Sequence, residues 1–265
     1  SDEFVRHDIA VTGVDPAFIA EFPPSEGNNG GYTWEMRNYF VRLPAGYDPN
    51  TAYPVTFGGG GCGNTNGLSG QGGGQQAGDI ESIRIGMSYV YNGGACFEDD
   101  QANTPEVPYF DAMMAEISAN YCVNLEKVFV GGWSSGAWEA YTLGLARGGV
   151  IRGIAAGAGG LRLERPSPSG VPIAAILLTG TGDNTNPIDG PEGSALARDE
   201  ILATNGCVGT DTTPFAASNN NCVQYTGCPA AFPVVWCTPN DGHVGGDGDH
   251  WAAVGAFWDS LPAAP

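Results

Sequence analysis

The chain has 265 residues, enough for one large α/β domain or two small ones, and 42% of them are hydrophobic, enough for a full core. Its 29 acidic side chains against 10 basic ones give a net charge of −19, with Lys127 the sole lysine, so the surface repels nucleic acid and anionic membranes and resists self-association. No run reaches the roughly 18 apolar residues of a membrane span. The opening residues carry no charged-then-apolar leader, so the chain is expected to be mature or cytosolic.

Seven cysteines decide between those two. Their spacing contains no Cys-x-x-Cys, and only three histidines exist, so a zinc module does not fit. Disulfides in an oxidising compartment do, so the protein is expected to be extracellular, and a monomer is expected. The odd number leaves at least one thiol unpaired or bridged to a partner.

In chain order, residues 1–30 read as an irregular N-terminal segment with at most one strand. Residues 31–265 read as a single catalytic domain. Thr33 to Leu43 and Tyr53 to Phe57 are expected strands, the second running into the glycine run 58–63. Leu68 to Gly78 reads as a mobile surface loop, and Met87 to Tyr91 as a strand. Phe110, Met113, Met114 and Ile117 have helical spacing within Tyr109 to Tyr121. A central strand at Val128 to Val130 precedes a helix running to about Arg147. Val150 to Ala156 and Val171 to Leu178 are further buried strands. Ser194 to Thr204 is a helix stopped by Asn205-Gly206, 207–231 is irregular, Phe232 to Cys237 is the last strand and His250 to Leu261 the last helix. Strands alternating with helices predict an α/β fold: a mostly parallel sheet covered on both faces. In that topology Cys62 and Cys96 both follow strand ends on one side and are expected to pair. Cys122 enters from the other side and is the expected free thiol. Cys207, Cys222, Cys228 and Cys237 then form two bridges, with three connectivities open.

Between the central strand and its helix stands Gly132-Trp133-Ser134-Ser135-Gly136, the Gly-x-Ser-x-Gly of a nucleophile elbow. A serine in so tight a turn leaves no room for Cβ atoms two positions away on either side, and the helix behind it aims N–H groups at a nearby anion. Serine needs a base, and the base needs an orienting carboxylate. Asp183 stands first in the polar turn after strand 171–178 and is the chosen acid, ahead of Asp189 and Glu192, with an ordinary Asx turn as its rival role. His243, in a glycine-flanked loop after the last strand, is the chosen base; His250 is second and His7 a surface residue. The N–H groups of Ser135 and Cys62 are the expected oxyanion donors, with Gly61 an alternative to Cys62. Gly61 and Trp133 are expected substrate-binding residues, although Trp133 would equally serve as core packing beside the elbow. The glycine run 58–63 lacks a P-loop's Gly-Lys-Ser/Thr, and Gly245 to Asp249 shows a calcium-like repeat only once. No metal and no cofactor are expected.

With these residues the chain resembles the secreted α/β-hydrolase esterases grouped as polyhydroxybutyrate depolymerase-like and feruloyl esterase-like (carbohydrate esterase family 1). The matching stretches are 37–48, Tyr53-Pro54, Gly61-Cys62-Gly63, 121–136, 179–183, 205–207, 236–243 and 251–253, nearly the whole chain after residue 30. The resemblance implies Ser134 as nucleophile, Asp183 as acid, His243 as base and Cys62 with Ser135 as oxyanion hole. Two departures stand out: Gly60 where the family usually has histidine, and Ala137 where it usually has glycine. The implied activity is hydrolysis of plant cell-wall esters, feruloyl or acetyl. A polyester, polyhydroxybutyrate or aromatic, is the alternative substrate. A non-catalytic carbohydrate-binding domain is the reading from another class, and the triad residue types in order count against it.

Overall fold

The computed structural model describes residues 3–25, 31–63, 80–92, 94–243 and 248–262. In chain order the elements are β1 (Val5–Ala10), α1 (Pro16–Glu21), β2 (Met36–Arg42), β3 (Tyr53–Gly59), β4 (Ile83–Met87), α2 (Glu106–Asn120), β5 (Val123–Trp133) and α3 (Ser135–Ala146). They continue with β6 (Gly153–Gly157), β7 (Ala174–Leu178), α4 (Ser194–Thr204), β8 (Thr212–Pro214), β9 (Cys222–Tyr225), β10 (Val234–Cys237) and α5 (Gly248–Ser260). Among the described residues one sheet holds ten strands in the order β1-β2-β4-β3-β5-β6-β7-β10-β9-β8. The six from β4 to β10 are parallel, and an antiparallel pair flanks them at each edge.

Strands β6 and β7 are apolar at every position because both faces are covered, and successive side chains leave on opposite sides. Val128 and Val130 of β5, Ile154 and Ala156 of β6, and Ala175 and Leu177 of β7 enter one core. Phe129, Ala155, Ala174, Ile176 and Leu178 enter the other. The first core also holds Phe110, Met113 and Ile117 of α2 and Leu143 of α3. The second is closed by α5, whose Trp258 stacks on Phe129 with ring centroids 4.4 Å apart. Among the described residues no helix is long and apolar enough to cross a membrane.

Several elements differ from the sequence expectation. The segment before residue 30 carries both a strand and a short helix, and β1 pairs with β2 over its whole length. Asp15 caps α1 by accepting from Ala17 N–H at 2.8 Å, and Phe18 packs edge-on against buried Trp34. The strand expected at Met87 to Tyr91 lies earlier, at Ile83–Met87, where it pairs with Val55 to Gly58 of β3. Residues 207–231, expected to be irregular, contain β8 and β9. The expected surface loop 68–78 and most of the glycine-aspartate stretch 245–249 lie outside the described residues.

The disulfides are Cys62–Cys96, Cys207–Cys228 and Cys222–Cys237, and Cys122 is free. The first pair and the free thiol agree with the topological expectation. The other two bridges select one of the three open connectivities, and both fasten the 207–231 segment, one of them joining β9 to β10.

Candidate active site

At the end of β5 the chain reverses through Ser134, whose φ of +53° is rare for a non-glycine residue. Hydrogen bonds hold it there: Ser134 N–H donates to Gly157 O at 2.9 Å, and Ser134 O accepts from Ala137 N–H and Trp138 N–H. The flanking glycines are steric necessities. A Cβ on Gly132 would lie 2.1 Å from Gly136 O, and one on Gly136 would lie 2.0 Å from Gly59 O. The elbow is therefore wedged against the end of β3 as well as folded on itself.

Asp183 and His243 arrive from neighbouring strands. Leu178 of β7 pairs with Cys237 of β10, so the loops leaving those strands run side by side. Thr181 N–H donates to Pro239 O at 2.9 Å and Gly182 N–H to Asp241 O at 2.8 Å. Asp183 is buried. Its Oδ1 accepts from Thr185 N–H at 2.9 Å and Asn186 N–H at 2.8 Å. Its Oδ2 is left for His243 Nδ1, 2.9 Å away, and His243 Nε2 is 3.1 Å from Ser134 Oγ. The two roles weighed for Asp183, Asx turn and histidine partner, coexist because the carboxylate has two oxygens.

The other candidates are engaged elsewhere. His250 is fully buried at the start of α5 against Trp251. His7 stacks on Tyr39 at the sheet edge, four strands from β5. Glu192 accepts from Leu163 N–H and approaches Arg162, and Asp189 is exposed.

Trp133 is half-buried, with its ring centroid 5.3 Å from that of His243. A Cβ on Gly61 would meet the Trp133 ring at 2.7 Å and the Ser134 Cβ at 3.3 Å, so the chain after β3 passes directly over the elbow. Gly136 N–H donates to Gly60 O at 2.9 Å. Among the described residues, no hydrogen bond engages the Cys62 or Ser135 N–H.

Two supports escaped the sequence reading. Asn186 donates through its side chain to Ala158 O as well as through its N–H to Asp183, and the Asp-x-x-Asn spacing of an Asx turn was the available signal. Behind the elbow lies a group of buried acids with no sequence signature. Glu106 meets Arg37 at 2.8 Å and Asp99 meets Arg162 at 2.9 Å. Glu139 of α3 is fully buried, and burial pushes its carboxyl well above the usual range. Burial likewise pushes Glu98 and Asp99 up to about 7.

No family model matches the chain. It is 30% identical over 252 residues to feruloyl esterase C of Emericella nidulans, covering 89% of this chain and 87% of the relative. The chain belongs to the feruloyl esterase C family. It is a carboxylic ester hydrolase of the α/β-hydrolase fold. A probable feruloyl esterase C of Aspergillus niger is 28% identical over 259 residues, covering 91% and 90%. In fold, this chain is similar to the acetyl xylan esterase from Aspergillus awamori, with a TM-score of 0.56 at 13% identity over 94% of this chain and 99% of that one. It is also similar to a Clostridium thermocellum feruloyl esterase module complexed with sinapinate, with a TM-score of 0.51 at 13% identity over 98% and 87%.

Proposed function

We propose that the chain is a secreted serine esterase that cleaves feruloyl or acetyl esters of the plant cell wall, with Ser134 as nucleophile, His243 as general base and Asp183 as the orienting acid. The observation that carries this reading is the relay of Ser134 Oγ, His243 and Asp183, linked at 3.1 and 2.9 Å. Ser134 Oγ attacks the ester carbonyl while His243 Nε2 takes its proton. Asp183 Oδ2 holds the ring with Nδ1–H toward itself and stabilises the imidazolium. The oxyanion forms against the N–H groups of Cys62 and Ser135, which have no competing partner among the described residues. Collapse of the tetrahedral adduct expels the alcohol, which takes the proton from His243. Water, deprotonated by the same imidazole, then releases the acid. The indole of Trp133, on the imidazole side of the elbow, offers a face for an aromatic acyl group, which favours feruloyl over acetyl esters. Three disulfides support an extracellular location.

Hydrolysis of p-nitrophenyl acetate and methyl ferulate by the wild type and by Ser134→Ala tests the assignment. Loss of both activities in a variant with unchanged Tm is expected, and equal rates would remove Ser134 from the chemistry. Acetylated xylan, polyhydroxybutyrate and an aromatic polyester assayed beside methyl ferulate rank the substrates, with the ferulate ester expected first.

A further inference from the structure

Ser135 follows the nucleophile and is buried at the first position of α3. Its Oγ accepts a hydrogen bond from Phe97 N–H at 2.8 Å, a contact between residues 38 positions apart. Phe97 is itself buried, so its N–H has no ready alternative in water. The residue before it, Cys96, is bonded to Cys62, and Gly63 N–H donates to Ala95 O at 2.9 Å. On the other side, Gly136 N–H donates to Gly60 O at 2.9 Å. These links close a ring through three segments: the turn after β3 (60–63), the loop after β4 (95–97), and the elbow (134–136). The Cys62 N–H lies within that ring. The Ser135 hydroxyl is the side-chain link by which the ring is fastened back to the elbow.

We infer that Ser135 is a positioning residue for the second oxyanion donor as well as the source of the first. Its main chain offers one N–H. Its Oγ, through Phe97 and the Cys96–Cys62 bridge, holds the Cys62 N–H at the distance the developing oxyanion requires. The inference rests on Ser134 being the nucleophile. Removing Oγ leaves the Phe97 N–H buried without an acceptor, and the 95–97 loop shifts to satisfy it. The bridge transmits that shift to Cys62. Ground-state binding is spared, because the substrate carbonyl uses these donors fully only once it becomes an oxyanion.

The test uses Ser135→Ala, Ser135→Thr, Cys96→Ala and the Ser135→Ala/Cys96→Ala double variant, with p-nitrophenyl acetate as substrate and a trifluoromethyl ketone as a tetrahedral-adduct inhibitor. Ser135→Ala is expected to lower kcat roughly 10-fold to 100-fold with KM within about 3-fold, and to weaken ketone binding by the same factor as kcat/KM. Ser135→Thr, which keeps the hydroxyl, should recover most of the loss. The double variant should lose less than the product of the single losses, because both changes open one ring. An unchanged ketone affinity, a loss confined to KM, or losses that multiply would each overturn the inference. If Ser135→Ala does not fold, Cys96→Ala alone must show the same kcat-selective loss, and a normal kcat there overturns it too. Ser134→Ala run alongside separates the levels: activity surviving in that variant sinks the nucleophile assignment, whereas an inactive Ser134→Ala beside a fully active Ser135→Ala sinks only the positioning role.

Discussion

Asp183 divides its carboxylate between two tasks, and one substitution can separate them. In Asp183→Asn the amide oxygen can still accept from Thr185 and Asn186 N–H, so the turn survives. The amide nitrogen then faces His243 Nδ1 and favours the tautomer that cannot take a proton from Ser134. We expect kcat to fall about 10⁴-fold, with Tm within a few degrees of wild type. Trp133→Ala acts on the substrate side. It should lower kcat/KM for methyl ferulate about tenfold more than for p-nitrophenyl acetate, as loss of one aromatic contact implies. That Ser134, His243 and Asp183 meet was legible in the sequence because each is marked by its own surroundings: glycines around Ser134, a polar turn after a strand for Asp183, and a glycine-flanked loop for His243. The side-chain contact of Asn186 and that of the Ser135 hydroxyl were not legible. What they do depends on Ala158 and Phe97, and only folding brings those residues to them.

At the level of elements, the contact between α3 and the end of β3 is set by bare backbone. Gly136→Ala places a methyl 2.0 Å from Gly59 O, where neither side can yield like a flexible side chain. We expect a loss of about 3 kcal/mol or more in urea denaturation. Gly149→Ala, whose Cβ would meet nothing within 4 Å, should be close to neutral and serves as the control. Helix α4 was read with its observed bounds because Asn205-Gly206 both stop it, Gly206 taking a φ of +67°. Strand β4 was misplaced because Arg84 interrupts its apolar run, while Met87 to Tyr91 alternates more convincingly; pairing with β3 decided the matter. Strands β8 and β9 escaped notice because they are short and carry little apolar pattern. β9 forms by pairing with β10, to which the Cys222–Cys237 bridge ties it, and β8 forms by pairing with β9.

For the whole molecule, the buried acids and the surface charge act in the same direction. Glu98 and Asp99, with pKa values of about 7 in the folded chain, titrate near 4 when unfolded. The folded state therefore binds protons more tightly, and the associated stability is fully present below about pH 4. It declines as pH rises toward 7 and is gone above it. Glu106 and Glu139, also raised, add to the trend, and the net charge of −19 increases self-repulsion over the same range. Tm is expected to be higher at pH 5 than at pH 8, and Glu139→Gln should narrow that difference by raising the value at pH 8. A Tm that climbs from pH 5 to pH 8 would contradict this.

Ser134 follows β5 and Asp183 follows β7, with β6 between them. Beyond Ala158 the connection from β6 returns to β7 without supplying a member of the proposed triad. Its Leu163 and Glu164 are exposed. Sequence spliced in at that joint would change the surface beyond the carboxyl end of β6 while every strand keeps its partner. Since doubling a flexible loop adds only about 0.6 kcal/mol of closure entropy, the architecture leaves room there for new ester preferences to be grafted without rebuilding the chemistry.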